Sequence, residues 1–404
     1  MSFFSYVSRI VYRNNQMRLT YFASITAIGL IICFVACVEP YPPPDIANDL
    51  SILVVDGSID ATNGIATVRL THTTKLTEDG GSPAEKGAFV SIRSESGGSY
   101  LLAELDSGRY LVEGLPIDPS EKYQLYIKIA GGKEYVSDYV TINKTPPIDS
   151  VTWRPDGDGV SIMVNTHDET NQSKNYRWEY SETWEYHSPY VSLFKVEDGV
   201  VLYRDQDEFV YKCYRTLPST RILTTSTVHL SEDMIRDFQL TYIPRISSRL
   251  SVLYSILVKQ RVVDEKEYEF WQDLQRVTEG LGGLFDSQPY EILGNVHQVD
   301  DASTPVLGYF SAGYVAEQRL FVSFYDLPSY LQIRPWHGCV ADTVCVVIRP
   351  PLRCTIDVAN LPPDPLLLNA LMEGPSIWGY SMGGKLCADC RTQGGTLTKP
   401  DFFP

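Results

Sequence analysis

Apolar and polar residues alternate over short stretches through most of the chain, and the breaks fall at Gly, Asp and Pro. Ala88, Val90 and Ile92 point one way before Gly97-Gly98, and Tyr123, Leu125, Ile127 and Ile129 repeat the pattern before Gly131-Gly132. Gly108-Arg109-Tyr110 closes another hairpin. A period of two is the signature of a half-buried strand, and turn signals recurring about every ten residues suit a β-sandwich. This pattern predicts one sandwich domain over residues 51–145, ended by Pro146-Pro147, where neither residue can donate a backbone hydrogen bond to a sheet.

The remainder, 146–404, is predicted to be a second, larger β-rich domain. It opens with Ile148–Trp153, turns at Asp156-Gly157-Asp158-Gly159 and continues through Val160–Val164. Leu250, Val252, Tyr254, Ile256 and Val258 predict the clearest strand, and 306–310 and 320–324 return to strand. Between them lies the clearest helix. Asp264 reads as its N-cap, Glu267 three residues on completes a capping-box-like start, and Tyr268, Trp271 and Leu274 share a face. Gly280 to Gly283 ends it. The fold class is thus mainly β, an N-terminal β-sandwich resembling immunoglobulin-like or transthyretin-like modules, followed by a larger β-rich domain with one or two inserted helices.

In the run Tyr176, Trp178, Tyr180, Trp184, Tyr186, every aromatic keeps one parity, while Arg177, Glu179, Glu185 and His187 keep the other. All five rings therefore share one face. They read either as a ligand platform for a sugar or peptide or as sandwich core, and core is favoured because the opposite face is already polar.

The first 36 residues differ in kind. They hold Arg9, Arg13 and Arg18, no acidic residue, and an apolar run from Leu19 to Ala36 that leads into Cys37. This reads as a secretory signal peptide over 1–36, with Met17 as an alternative start. Phe34-Val35-Ala36-Cys37 resembles a bacterial lipobox, in which the cysteine is lipidated and becomes the new N-terminus; Phe34 stands where Leu is usual. Residues 37–50, rich in proline, would then be a stiff tether. The alternative is an uncleaved anchor, since the run is long enough to span a bilayer.

Charge narrows the function. The chain of 404 residues has 34 basic and 50 acidic side chains, a net −16. Without the three leader arginines, 368 residues remain at a net −19. Such a surface excludes nonspecific nucleic-acid binding, which needs basic residues against phosphate.

Six cysteines remain beyond Cys33 and Cys37, namely Cys213, Cys339, Cys345, Cys354, Cys387 and Cys390, and an even number in an exported chain suggests disulfides. Cys387-Ala388-Asp389-Cys390 has redox spacing but lies among glycines, and no second close pair supports zinc. Gly379-Tyr380-Ser381-Met382-Gly383 matches a nucleophile elbow, yet no His follows Ser381, as the triad order of α/β-hydrolases demands. Serine esterase activity is therefore a minor alternative. The six His form no metal-binding pair, and Asp156-Gly157-Asp158-Gly159 fits a hairpin turn better than a calcium loop. No catalytic residue, metal or cofactor is expected.

Cys387-Ala388-Asp389-Cys390-Arg391, Gly394-Gly395-Thr396 and Lys399-Pro400-Asp401-Phe402 resemble the ending of a Bacteroidota outer-membrane lipoprotein family known as a domain of unknown function, number 4249. Tyr211-Lys212-Cys213, Tyr254 to Gln260, Gly283-Leu284-Phe285, Gly294-Asn295-Val296 and Gly308-Tyr309-Phe310-Ser311 match in the same order. Phe403 departs from the usual Trp. The resemblance implies a non-catalytic outer-membrane lipoprotein, held by the lipid on Cys37, that binds a ligand or serves a TonB-dependent receptor β-barrel. A structural lipoprotein facing the periplasm is the alternative.

Overall fold

The computed structural model describes residues 51–74, 81–106, 108–198, 200–279, 292, 294–301, 303–335, 338–345 and 366–404. Residues 1–50, with the expected signal peptide, Cys37 and the expected tether, lie outside the described residues, as do Cys354, the glycine stop 280–283 and Gly283-Leu284-Phe285. The described residues form mostly antiparallel sheets with one long helix, Glu265–Glu279. Among them no helix is long and apolar enough to cross a membrane.

The first sandwich packs two sheets over a core of Val55, Ile59, Val68, Leu70, Val90, Ile92, Leu125 and Ile127, each at most 1% exposed. One sheet has Leu53–Asp60 and Ile65–His72 at its centre, with Arg109–Val112 and Ala103–Asp106 beyond; the other centres on Lys122–Lys128 and Phe89–Ser94. Tight chemistry joins the first hairpin. Asp60 accepts the Thr62 amide at 2.9 Å, and Gly64 supplies the positive φ of +63° that the turn requires.

The expected boundary at residue 145 needs correction. Strand Leu307–Gly313 pairs in parallel with Leu53–Asp60, from Val54 opposite Leu307 to Asp60 opposite Gly313. Strand Val296–Gln298 joins the edge of the opposite sheet against Glu134–Ser137. Val296, Val306, Phe310 and Ala312 belong to the first core. Residues 296–313 therefore complete the first sandwich after the chain has built most of the second. Parallel partners need a long crossover, and the intervening region is that crossover. Periodicity identifies strands but not their partners.

Two glycines and an asparagine make this return. A Cβ on Gly308, whose φ is +116°, would collide with the Val55 carbonyl, and one on Gly294 would collide with the Gly308 carbonyl. The buried Asn295 amide donates to the Phe310 carbonyl and accepts from its N–H, both at 2.8 Å.

The second sandwich sets Ile148–Asp156, Gly159–His167 and Met234–Pro244 against Lys212–Pro218, Asn175–His187, Leu253–Val263 and Ala316–Ser323. Leu250 does not begin the long strand, as the alternation predicts; it is buried in a short 3-10 turn, Ser248–Leu250, and the strand starts at Leu253. A further sheet joins Phe194–Glu197, Val200–Tyr203, Ala341–Cys345, Leu366–Glu373 and Ser376–Gly383 around Leu367, Tyr380 and Met382.

Among the described residues two disulfides fasten the C-terminal segment. Cys213 bonds Cys390 and Cys339 bonds Cys387. The Cys-x-x-Cys spacing thus serves two separate bridges, which corrects any reading of it as a redox or metal pair. The side chain of Cys345 lies outside the described residues.

Candidate functional site

The aromatic stripe is not a platform. Tyr176, Trp178, Tyr180, Trp184 and Tyr186 are all at most 7% exposed in the second core, so no ligand can reach their faces. Trp178 stacks on Phe238 at 4.6 Å and donates Nε1–H to Gln260 Oε1 at 2.9 Å. Gln260, itself fully buried, donates onward to Pro146 O and Thr166 Oγ1, both at 2.9 Å. Glu182 shares the aromatic parity and also points inward, where Arg249 and the Tyr254 hydroxyl satisfy it at 2.8 and 2.7 Å.

Ser381 lies within the strand Ser376–Gly383, with no strand-to-helix turn at the serine. Its Oγ accepts from the Asn369 N–H at 3.1 Å. A nucleophile elbow needs the serine exposed on a sharp turn, and this segment has other geometry. Asp156 ends one strand of a hairpin and Asp158 lies in its two-residue turn, Gly157-Asp158; Ser161 donates to Asp156 at 2.6 Å and Arg245 pairs with Asp158 at 2.7 Å, so both carboxylates are engaged.

The face opposite the aromatics carries the site. Arg177 and Glu179 project from the central strand toward the first sandwich, and Arg261 is the register partner of Arg177 on the neighbouring strand. Across from them the first sandwich presents Asp56, flanked in register by Arg69 on one side and Tyr309 on the other. Together with Arg109, Ser311 and Trp271 of the helix, these residues line a cavity of about 280 Å³. Two other recesses among the described residues are less apt. One of about 80 Å³ beside His187 holds only a few waters, and a more open depression of about 510 Å³ has Lys212 already paired with Glu185 at 3.0 Å.

The helix fixes one wall. Asp264 Oδ1 caps the Glu267 amide at 2.8 Å, as the sequence predicts. The Glu267 carboxyl does not close the box; it accepts the Trp271 Nε1–H at 3.1 Å. Phe270 packs on Tyr309 at 5.3 Å, which seats the helix on the returning strand. Arg177 then lies over the Trp271 ring at 3.8 Å while pairing with Glu179 at 2.6 Å.

Charge inside the cleft is unevenly satisfied. Burial opposes ionisation of Glu179, but the Arg177 and Arg261 guanidiniums outweigh it and hold its carboxyl below the ordinary range. Burial draws Arg261 below the usual arginine value, though it stays charged at any physiological pH. Asp56 reaches solvent through the mouth of the cleft, yet the protein crowded around its carboxyl raises its pKa, with Arg177 pulling the other way. Behind them Glu267, only 2% exposed, is pushed by burial up to about 7, against the pull of Arg177.

A family model described as "Domain of unknown function (DUF4249)" matches residues 38–319. The chain belongs to this family. The DUF4249 match takes in both sandwiches and the whole cleft, and the C-terminal cysteines lie beyond it. No curated protein matches the chain. Among solved structures it is similar to a two fibronectin type-III domain segment from chicken tenascin, at 13% identity and a TM-score of 0.16, over 52% of this chain and 91% of that one. A chitinase, ChiA74 from Bacillus thuringiensis, is also similar, at 13% identity and a TM-score of 0.14, over 44% of this chain and 29% of that one. Likenesses at these scores do not bear on the topology of the DUF4249 chain.

The cleft residues are not evident from the sequence because the aromatic parity of 176–186 dominates that strand. The polar parity of the same strand was the signal: Arg177 and Glu179 stand beside each other on a face that must be solvated or covered.

Proposed function

We propose that this protein is a non-catalytic, lipid-anchored outer-membrane protein of the Bacteroidota type, whose double-sandwich body binds a small ligand as an accessory to a TonB-dependent receptor. The observation that carries anchoring is Val35-Ala36-Cys37, preceded by a basic, apolar leader and followed by a proline-rich tether. The first described strand begins at Leu53, 16 residues beyond Cys37, so the tether would separate body from lipid. The cleft between the sandwiches supports the ligand-binding half, since small-molecule sites favour concave junctions between domains.

Metabolic labelling with a radioactive fatty acid tests anchoring. Label on the native chain and none on Cys37→Ser is expected; an unlabelled native chain sinks the reading. For the partner, solubilised outer membrane should yield a β-barrel that co-purifies with the protein, and a monodisperse monomer alone counts against it. Protease shaving of intact cells separates the surface role from a structural role facing the periplasm, which would leave the protein protected.

A further inference from the structure

The cleft is electropositive in a strongly acidic protein. Four arginines, Arg69, Arg109, Arg177 and Arg261, line it against two carboxylates, Asp56 and Glu179, whereas the chain as a whole carries −16. Arg177 and Arg261 stand directly opposite each other on paired strands. Like charges so placed destabilise a sheet; Glu179 pairs directly with Arg177, while Arg261 is offset only through space by Glu179, Asp60 and Glu267. The Arg261 side chain donates to the Ile59 carbonyl at 3.2 Å, which uses one of its five N–H groups. Arg69 makes no side-chain hydrogen bond or ion pair among the described residues, and Arg109 has only a long, exposed contact with Asp106 at 3.6 Å.

We propose that the cleft is a binding site for the oxyanion of a small molecule, a carboxylate or a phosphate ester, with Arg261 and Arg69 as its anion-binding residues. Guanidinium groups suit this role because their planar fork matches the spacing of carboxylate and phosphate oxygens. Arg177 is already held by Glu179 and Trp271, so it acts as a fixed positive charge rather than a free donor. Asp56 and Glu179 are placed to accept hydrogens from hydroxyl or ammonium groups on the body of the ligand. A cavity of about 280 Å³ limits the occupant to a molecule displacing on the order of nine waters. The proposal deepens the ligand-binding half of the function above and does not depend on anchoring.

Titration calorimetry on the full chain in detergent, at low ionic strength, tests it with three probes: glucose 6-phosphate for the phosphate ester, galacturonate for the carboxylate and glucose as the neutral control. Saturable binding of either anion, without binding of glucose, is the expected result, and whichever anion binds identifies the class. Arg69→Gln should weaken that binding about tenfold or more, the worth of a charged hydrogen bond, while changing the melting temperature of the free protein little, because its side chain is exposed and makes no hydrogen bond or ion pair among the described residues. Arg261→Lys keeps the charge, loses the fork, and should weaken binding as well. Failure of both anions to bind at about ten millimolar overturns the proposal. So does binding of equal strength by native protein and Arg69→Gln. A chain that takes up fatty acid but binds neither anion loses this proposal alone.

Discussion

Replacing Glu267 with Gln should stabilise the protein, and by more at high pH than at low. The carboxyl is only 2% exposed, and burial lifts its pKa from 4.5 to about 7. Because the folded value lies above the unfolded one, the native state holds the proton more tightly. Below pH 4.5 the group is neutral in both states and carries no penalty. As pH rises from 4.5 toward 7 the unfolded chain ionises first, and stability falls; above 7 the full penalty applies. A rise from 4.5 to about 7 corresponds to about 3 kcal/mol. Gln cannot ionise, and its carbonyl can still accept the Trp271 Nε1–H that Glu267 accepts at 3.1 Å. Urea unfolding of native and variant protein at pH 4.5, 6 and 8 measures the effect. The difference should be near zero at pH 4.5 and about 3 kcal/mol in favour of the variant at pH 8, since other groups cancel between the two. A difference that does not change with pH, or a variant weakened at pH 8, would refute the assignment of Glu267 as a strained buried acid.

Three further outcomes are expected. Trp178→Ala removes a ring that is 1% exposed and strands Gln260, so stability should drop by about 3 to 5 kcal/mol in urea unfolding; a loss under 1 kcal/mol would contradict its core role. Removing the Cys213–Cys390 bridge with paired Ala substitutions frees a loop of 177 residues and should cost about 2 to 5 kcal/mol, seen as a lower midpoint than in the native oxidised chain. Gly308→Ala forces a side chain into the Val55 carbonyl at a φ of +116° and should detach the returning strand. Hydrogen exchange at Leu307–Gly313 would then rise above that of Asn175–His187, and equal protection would contradict the close approach.

Local regularities were legible in the sequence wherever the physics is local. Period two in 122–128 and 175–187 follows from alternating side chains on a pleated strand, and Asp264 reads as a cap because its carboxylate lies one turn from the amide it receives. Pairing is not local. Nothing in the residues 307–313 alone distinguishes a neighbour at 316 from one at 54, and the parallel choice is decided by the core that Phe310 fills. The disulfide partners were hidden for the same reason, since spacing cannot rank the 15 pairings of six cysteines.

The cleft follows from that non-local step. If the chain ran from one sandwich to the next without returning, Tyr309 and Ser311 would not stand beside Asp56, and the helix would lack the Tyr309 ring against which Phe270 packs. Gly294, Asn295 and Gly308 secure the return through close backbone approach and a paired amide, contacts that involve no ligand. The same crossover therefore fastens the sandwiches and builds the wall between them. The paired strands that carry Asp56 and Tyr309 on one side and the strand that carries Arg177 on the other keep fixed separation only while the return is intact. Loss of the Gly308 approach should accordingly weaken anion binding as well as stability, whereas Arg69→Gln should weaken binding alone. That contrast separates the framework of the site from the groups that would touch its ligand.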